Sequence, residues 1–181
     1  MQNKPGRIAL IVLCFLCFTF FSFAQTVVII RHAEKPLQGK NLNCQGLNRS
    51  LKLPAVLYSK FGIPGNVYVP SLDNNISTGH ARMFQTVIPL AAKYNLKINS
   101  RYTEMDIAAL AKEIKSKKGF VLVVWQHSAI PSIVRALGVV GFNMRWGDND
   151  YDSIWIIHFQ NGIAKITFDK EGLMPSNSCP D

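Results

Sequence analysis

The sequence has 181 residues, with 20 Lys and Arg against 11 Asp and Glu, and a formal net charge of +9. This length fits one domain with a sizeable hydrophobic core and excludes an arrangement of several domains. The positive charge suits an anionic ligand such as a phosphate ester, whereas the lack of a long Lys/Arg run or a basic aromatic stripe argues against a nucleic-acid partner.

The first 24 residues have the pattern of a secretory signal peptide. Two cations precede an uncharged stretch over residues 8–23, and Ser22-Phe23-Ala24 matches a cleavage site with small residues at its first and third places. As a helix this stretch would be roughly 24 Å long, short of the roughly 30 Å hydrocarbon core of a bilayer. We therefore expect cleavage after Ala24 and a secreted or periplasmic domain over 25–181, with no membrane association once cleaved. An uncleaved anchor is the alternative.

Short apolar runs and longer helical patterns alternate along residues 25–181, which is typical of an α/β fold with a mostly parallel central sheet and helices on both faces. Three strands are predicted over 26–30, 67–69 and 120–125. The first and last are nearly continuous apolar runs, as expected for central strands that are covered on both sides. Asn161-Gly162 predicts that the chain closes with an antiparallel hairpin of 153–159 and 163–168.

Apolar residues at helical spacing predict four helices, over 47–61, 82–94, 106–114 and 130–137. Pro54 indicates a kink or a late start in the first helix. Asp106 is placed to cap the third helix, and Gly119 and Gly138 are candidate stop signals.

Two cysteines, Cys44 and Cys179, follow the predicted signal peptide. An exported protein can form disulfides, so one bridge is possible and would join the C-terminal tail to the loop near Cys44. Two unpaired thiols are the alternative, because the sequence gives no distance between them. Neither cysteine has a partner at zinc-site spacing.

Two histidines lie just past the carboxyl ends of the two predicted central strands. Arg31-His32 comes after the first, and His127 comes two residues after the second. In parallel sheets ligands bind at the carboxyl edge, so both imidazoles and the Arg31 guanidinium are expected to meet there. Neutral imidazole can attack phosphorus while arginines bind the non-bridging oxygens. Arg82, at the start of a helix whose free N–H groups also favour anions, is the candidate second arginine.

These residues resemble the histidine phosphatase superfamily, whose small branch includes the phosphoglycerate mutases. The resemblance extends over nearly all of residues 25–181. It rests on the order and spacing of four motifs: Arg31-His32-Ala33-Glu34-Lys35, Leu42…Gly46, Arg82-x-x-Gln85-Thr86, and Val123-Val124-Trp125-Gln126-His127-Ser128 with Ile130-Pro131.

The resemblance implies specific roles for four residues. His32 would be the nucleophile that accepts the phosphoryl group, Arg31 and Arg82 would bind that group, and His127 would complete the pocket and stabilise the transition state. It also implies an α/β fold, no cofactor and no required metal.

Some positions depart from the family pattern. The segment over 70–81 is longer than usual and carries Ser77, Thr78 and His80, of which His80 is a candidate substrate-binding residue. The proton donor to the leaving oxygen is an acid in many members. Here Glu104 is the candidate, Asp106 is an alternative that is equally a helix cap, and a mechanism without a dedicated acid is a third possibility.

Further residues near these motifs have structural or substrate-lining interpretations. Glu34 and Lys35 are expected to fix their loop through an ion pair, and Gln126 lies where an acid would otherwise serve and cannot supply a proton in that way. Tyr151 could reach the pocket edge, although a turn is the favoured interpretation. Trp146 is a candidate for lining a substrate opening.

The sequence therefore predicts an exported, metal-independent phosphatase that hydrolyses a small phosphomonoester through a phosphohistidine on His32. An inactive relative that binds phosphorylated ligands is the main alternative. A metal-dependent hydrolase using His32, His80 and His127 is disfavoured, because these residues have no carboxylate partner at recognisable spacing and the arginines would repel a cation. The identity of the substrate and the oligomeric state are left open.

Overall fold

The computed structural model describes residues 25–72 and 79–179. The predicted signal peptide over 1–24, and Ser77 and Thr78 of the long segment, lie outside these residues. In the described ranges, no helix combines the length and the apolar character needed to cross a membrane.

Six strands and four helices form the described part of the chain. The strands are β1 (Thr26–Arg31), β2 (Asn66–Tyr68), β3 (Ile98–Asn99), β4 (Phe120–Trp125), β5 (Ser153–Gln160) and β6 (Ile163–Lys170). The helices are α1 (Cys44–Phe61), α2 (Ala81–Tyr94), α3 (Ile107–Lys115) and α4 (Ile130–Leu137).

The strands form one sheet in the order β3-β2-β4-β1-β5-β6. The first four of these strands are parallel, β5 is antiparallel to β1, and β5 and β6 form an antiparallel pair. The predicted mostly parallel sheet with a closing hairpin is therefore confirmed.

Alternating residues of β1 enter two separate hydrophobic cores. Val27 and Ile29 pack in a cluster with α3 and α4, whereas Val28 and Ile30 pack with α1 and α2. All four are fully buried. Because both faces of the strand are covered, its sequence is a continuous apolar run. The prediction of helices on both faces of the sheet is confirmed.

Helix α1 begins earlier than its apolar pattern suggests. The side chain of Asn43 accepts a hydrogen bond from the Gly46 backbone N–H at 2.8 Å and caps the helix at Cys44. The expectation of a late start at Pro54 is wrong, because this capping forms the first turn well before the proline, which lies buried inside the helix.

The other differences occur at short or capping elements. Strand β3 has only two residues, too few for a periodic signal. Helix α3 ends at Lys115 with Ser116 as its C-cap, before the predicted stop at Gly119. Asp106 occupies the N-cap position, but its carboxylate accepts hydrogen bonds from the backbone N–H and hydroxyl of Thr103 instead of capping the helix.

The C-terminal tail lies against the start of α1. Cys44 and Cys179 form a disulfide with their Cα atoms 4.3 Å apart, across 135 positions of sequence. Next to it, the Asn48 side-chain amide donates hydrogen bonds to the carbonyls of Ser176 and Ser178 at 2.9 and 2.6 Å. The sequence left two alternatives open, a disulfide bridge and two unpaired thiols, and the structure shows the bridge.

Candidate active site

The two candidate histidines follow neighbouring strands of the sheet. Arg31 at the end of β1 is in register with Trp125 at the end of β4, and the backbone N–H of His32 donates to the Trp125 carbonyl at 3.2 Å. The chain continues from β1 into α1 on one face and from β4 into α4 on the other. Two connections that leave in opposite directions open a crevice at the carboxyl edge, where such sheets bind ligands.

His32 is buried and is held in one orientation. Its Nδ1 lies 2.7 Å from the Ala33 carbonyl oxygen. Since a carbonyl only accepts hydrogen bonds, Nδ1 carries the proton and Nε2 keeps its lone pair. Burial, followed by the charges of Arg31, Arg82 and His127, lowers the pKa of His32 to about 3, although the Ala33 hydrogen bond opposes this. The ring is therefore neutral at physiological pH, as a nucleophile must be.

Arg31 is fixed by the loop that precedes β5. Its Nη1 donates to the Asp148 carbonyl at 2.6 Å and to those of Gly147 and Asp150 at 3.3 Å. The guanidinium carbon lies 4.0 Å from the centre of the Tyr151 ring, which is cation–π geometry. Burial lowers the pKa of this guanidinium, and Tyr151 and the nearby aspartates oppose that effect.

Arg82 lies in the first turn of α2, and its positive charge contributes to the lowered pKa of His32. Its Nη2 donates to the Gly39 carbonyl at 2.6 Å. One turn later, the Thr86 hydroxyl accepts a hydrogen bond from the Ala33 backbone N–H at 2.9 Å. Helix α2 thus supplies a cation and also holds the loop that carries His32.

His127 is the second imidazole of the site. Its Nε2 lies 3.2 Å from a carboxylate oxygen of Asp148. Burial, followed by the charge of Arg31, lowers the pKa of His127, whereas Asp148 raises it. His127 and Arg31 line the same cleft, so the structure brings this imidazole and this guanidinium to one edge of the sheet.

Several buried nitrogen atoms of these residues lack a hydrogen-bond partner. Within the described ranges, four buried side-chain polar atoms are unpaired: Arg31 Nε, Arg82 Nε, His127 Nδ1 and Trp125 Nε1. Buried polar groups are normally hydrogen-bonded, so three unpaired nitrogens on three residues of one site need an explanation. An oxyanion bound at the site would provide acceptors for the two guanidinium N–H groups.

An open cleft of about 540 Å³ is lined by Arg31 and His127, together with Tyr151, Asp148 and the loop residues Glu34 and Lys35. His32 and Arg82 are not part of this lining, and His32 lies beside Tyr151, with their ring centres 6.1 Å apart. The site is thus a basic cleft beside a neutral, buried imidazole.

Comparison with known proteins identifies the fold. No family model matches the chain, and neither does any curated protein. The protein histidine phosphatase SixA in complex with tungstate superposes with a TM-score of 0.61 at 16% identity, over 81% of this chain and 97% of that chain. This chain has the histidine phosphatase fold. The resemblance seen in the sequence is confirmed at the level of the fold.

Two further solved structures share the histidine phosphatase fold. A mutant phosphoserine phosphatase from Entamoeba histolytica in complex with phosphoserine has a TM-score of 0.55 at 12% identity, over 82% of this chain and 97% of that chain. A phosphoglycerate mutase from Bacillus anthracis has a TM-score of 0.53 at 15% identity, over 81% and 92%.

In this version of the histidine phosphatase fold, Glu34 forms a buried ion pair with Arg49 at 2.8 Å. The loop therefore has the ion pair expected for Glu34, and its partner lies in α1. Gly46 makes this packing possible, because a Cβ atom at that position would lie 2.2 Å from the Glu34 carbonyl oxygen.

The candidate proton donors lie on the segment before α3. Glu104 pairs with His80, with 3.0 Å between the carboxylate oxygen and Nε2, and His80 Nδ1 lies 2.7 Å from the Ser71 carbonyl. The pair places both residues together, and their roles in catalysis and substrate binding stay predictions. Asp106 is exposed, and its hydrogen bonds from Thr103 lower the pKa of its carboxyl group, so it suits a turn better than proton donation.

Sequence reasoning missed or undervalued three residues of the site. The favoured interpretation of Tyr151 as a turn residue is wrong: its ring stacks on Arg31, and its centre lies 6.1 Å from that of His32. Asp148 and Arg49 had no sequence signal, because their partners are distant in the chain. Trp146 lines a second cleft, as the hypothesis of a substrate opening allowed.

A bound metal ion requires a grouping of ligating side chains. In residues 25–72 and 79–179, no three His, Cys, Asp or Glu side chains are grouped so as to hold a metal ion. Metal independence stays a prediction, which a chelator experiment tests.

Proposed function

We propose that this protein is a phosphomonoester phosphatase that transfers the phosphoryl group first to Nε2 of His32 and then to water. One observation carries the proposal: a buried neutral imidazole with a free Nε2 lone pair lies among cationic groups whose Nε–H donors are unpaired. The neighbours with this fold include proteins named as a protein histidine phosphatase and a phosphoserine phosphatase, which supports a phosphatase function.

In the first step, the Nε2 lone pair of His32 attacks phosphorus and the bond from phosphorus to the leaving oxygen breaks. Arg31 and Arg82 donate to the non-bridging oxygens, where negative charge is concentrated. The hydrogen bond from Nδ1 to Ala33 stabilises the positive ring that results, since it keeps the second nitrogen protonated.

In the second step, water attacks the phosphohistidine on the side opposite Nε2. The bond from phosphorus to nitrogen breaks, its electron pair returns to Nε2, and phosphate leaves. The proton that the water loses passes to the Glu104 carboxylate, which gave up its own proton to the leaving oxygen in the first step. We assign to His127 the stabilisation of charge on the phosphoryl oxygens when its ring is protonated, because its unpaired Nδ1 is then a donor.

Glu104 is our candidate for protonating the leaving oxygen, with the hydrogen-bonded His80 as the group that positions it. A substrate whose leaving group needs no proton distinguishes the role of Glu104 from the roles of the other proposed catalytic residues. We expect Glu104→Gln to slow hydrolysis of an alkyl phosphate more than that of 4-nitrophenyl phosphate, whose leaving group departs as a stable anion.

The direct test is hydrolysis of 4-nitrophenyl phosphate by residues 25–181, with His32→Ala and His158→Ala compared in parallel. His158 is exposed on β5 and is the matched control. We expect His32→Ala to lose at least about 1000-fold in kcat/KM and His158→Ala to lose none. The phosphorylated enzyme is detected by its intact mass after rapid quenching in alkali. An acid quench is unsuitable, because phosphohistidine is labile in acid.

Unchanged activity in His32→Ala would overturn the nucleophile assignment. An inactive wild-type protein that still binds phosphate would favour the alternative, an inactive phospho-ligand-binding relative. Activity that survives EDTA supports metal independence, whereas its loss, restored by a divalent cation, would favour the metal-dependent alternative.

We also propose that the domain is exported, on the strength of the apolar leader before Ala24. Amino-terminal sequencing of the protein from cells that express the full chain is expected to begin at Gln25. A retained leader would show the uncleaved alternative instead.

A further inference from the structure

A second cleft adjoins the candidate active site from the side of α4. It has a volume of about 580 Å³ and shares His127 and Asp148 with the first cleft. A group bound at the first cleft therefore has a neighbouring space into which the remainder of a substrate can extend.

The aromatic wall of this second cleft is held by ring packing and by one hydrogen bond. Trp146 and Phe142 both pack on Trp155, with ring centres 4.7 and 5.2 Å apart from it. Trp146 also donates from Nε1 to the Asp150 carbonyl at 2.8 Å. Because the same loop binds Arg31, the wall of the second cleft and a phosphate-binding arginine are held by one segment.

Two arginines lie at the exposed side of the cleft, Arg135 on α4 and Arg145 in the following loop. Arg135 donates to the Ser132 hydroxyl at 2.9 Å, which orients it within its helix. In the described ranges, neither arginine forms an ion pair with an acidic residue. The acid in the lining is Asp148, which is paired with His127.

Resting on the proposed function, we infer that this second cleft binds the leaving group of the substrate, and that Arg135 and Arg145 select leaving groups that carry a second negative charge. Two guanidinium groups without acidic partners favour a carboxylate or a second phosphate. Trp146 and Phe142 favour an apolar or planar portion between that charge and the phosphoryl group. The substrate class is thus a phosphomonoester with a second anionic group on its leaving portion.

The test measures binding, so that it does not depend on turnover. The probes are two phosphonates that cannot be hydrolysed at the ester position, 4-carboxybenzylphosphonate and its carboxamide analogue, which differ by one charge. Dissociation constants are measured by calorimetry at low salt for wild type, for Arg135→Gln/Arg145→Gln, and for the control Arg101→Gln. Arg101 is an exposed arginine that contacts Glu113 away from both clefts.

We expect wild type and Arg101→Gln to bind the carboxylate about fivefold more tightly than the carboxamide, the size expected for two partly exposed ion pairs. The double variant is expected to bind the two equally, with unchanged affinity for the carboxamide. Equal affinities in wild type, an equal loss for both probes in the variant, or binding of neither probe would each overturn the inference.

The proposed function is tested separately by the dependence of hydrolysis on His32. Hydrolysis that depends on His32, combined with no preference for the carboxylate, would contradict only the inference about the second cleft. A preference for the carboxylate in a protein without hydrolytic activity would support the cleft as a binding site and contradict the phosphatase function.

Discussion

Arg49 donates hydrogen bonds from Nε and Nη2 to both carboxylate oxygens of Glu34, the second residue after His32. Its remaining Nη1 lies 2.6 Å from a carboxylate oxygen of Glu171, just beyond β6. One buried guanidinium therefore connects the loop of the candidate nucleophile to α1 and to the start of the C-terminal tail.

Replacing Arg49 by Met is expected to destabilise the protein by about 3–5 kcal/mol, because it leaves Glu34 and Glu171 buried without their partner. The side chains of these three residues are between 1% and 9% exposed, so solvent does not compensate. The free energy of unfolding is measured in urea. Lys60→Met, which removes a partly exposed pair with Asp169, is the control and should cost less than about 1 kcal/mol. Equal losses in both variants would contradict this account.

Gly46→Ala is expected to disrupt the loop that carries His32. The new Cβ would lie 2.2 Å from the Glu34 carbonyl oxygen, and backbone atoms must move to accommodate it. We expect a loss of more than about 2 kcal/mol in unfolding free energy, as for other severe overpacking, together with lower phosphatase activity. Gly65→Ala is the matched control, since its Cβ would meet its nearest atom at 3.8 Å. A stable and fully active Gly46→Ala variant would show that the contact is easily relieved.

The imidazole of His32 is expected to stay neutral far below the ordinary histidine pKa. Burial and three neighbouring cations lower its pKa to about 3. In the unfolded chain the group titrates near 6.5, so its effect on stability is a loss as the pH falls from about 6.5 toward 3. NMR titration of the ring carbons measures the pKa in the folded state.

The variant Arg82→Gln tests the electrostatic part of this shift. Removing the positive charge should raise the pKa of His32, while burial keeps it below the ordinary value. A His32 pKa near 6.5 in the wild-type protein, or no change in the variant, would show that the assumed burial or charge proximity is wrong.

Tyr151 is expected to act mainly through its ring. The ring covers the Arg31 guanidinium at 4.0 Å, whereas the hydrogen bond from Arg31 Nη2 to the hydroxyl is long, at 3.3 Å. We predict that Tyr151→Ala lowers kcat/KM for 4-nitrophenyl phosphate about 10-fold, the equivalent of a cation–π contact in a partly buried site, and that Tyr151→Phe has little effect. Equal losses in both variants would assign the role to the hydroxyl instead.

Loss of the Cys44–Cys179 disulfide is expected to lower stability more than activity. The bridge closes a loop across 135 positions, and removing such constraints costs about 2–5 kcal/mol. The candidate active-site residues keep their own contacts, and the Asn43 cap of α1 also remains. Thermal unfolding of Cys44→Ser/Cys179→Ser is compared with its activity at low temperature. A variant that is as stable as wild type would argue against a bridge in solution.

Local sequence patterns were sufficient to predict much of the fold. Central strands that are covered on both faces must be apolar throughout, so 26–30 and 120–125 were recognisable, and their carboxyl ends located His32 and His127 at one edge of the sheet. Arg82 was placed correctly at a helix start for a similar reason, since apolar spacing marks a helix without knowledge of its neighbours.

Only the tertiary structure decided which distant groups meet. Arg49 binds Glu171 across more than 100 positions, and Tyr151 covers Arg31 across a similar span. Such contacts depend on how loops pack after the sheet has formed, and no periodic signal in the chain encodes them. The disulfide and the pairing of His127 with Asp148 have the same origin. Periodicity reports which face of an element is buried, whereas partners are chosen by the three-dimensional path of the chain.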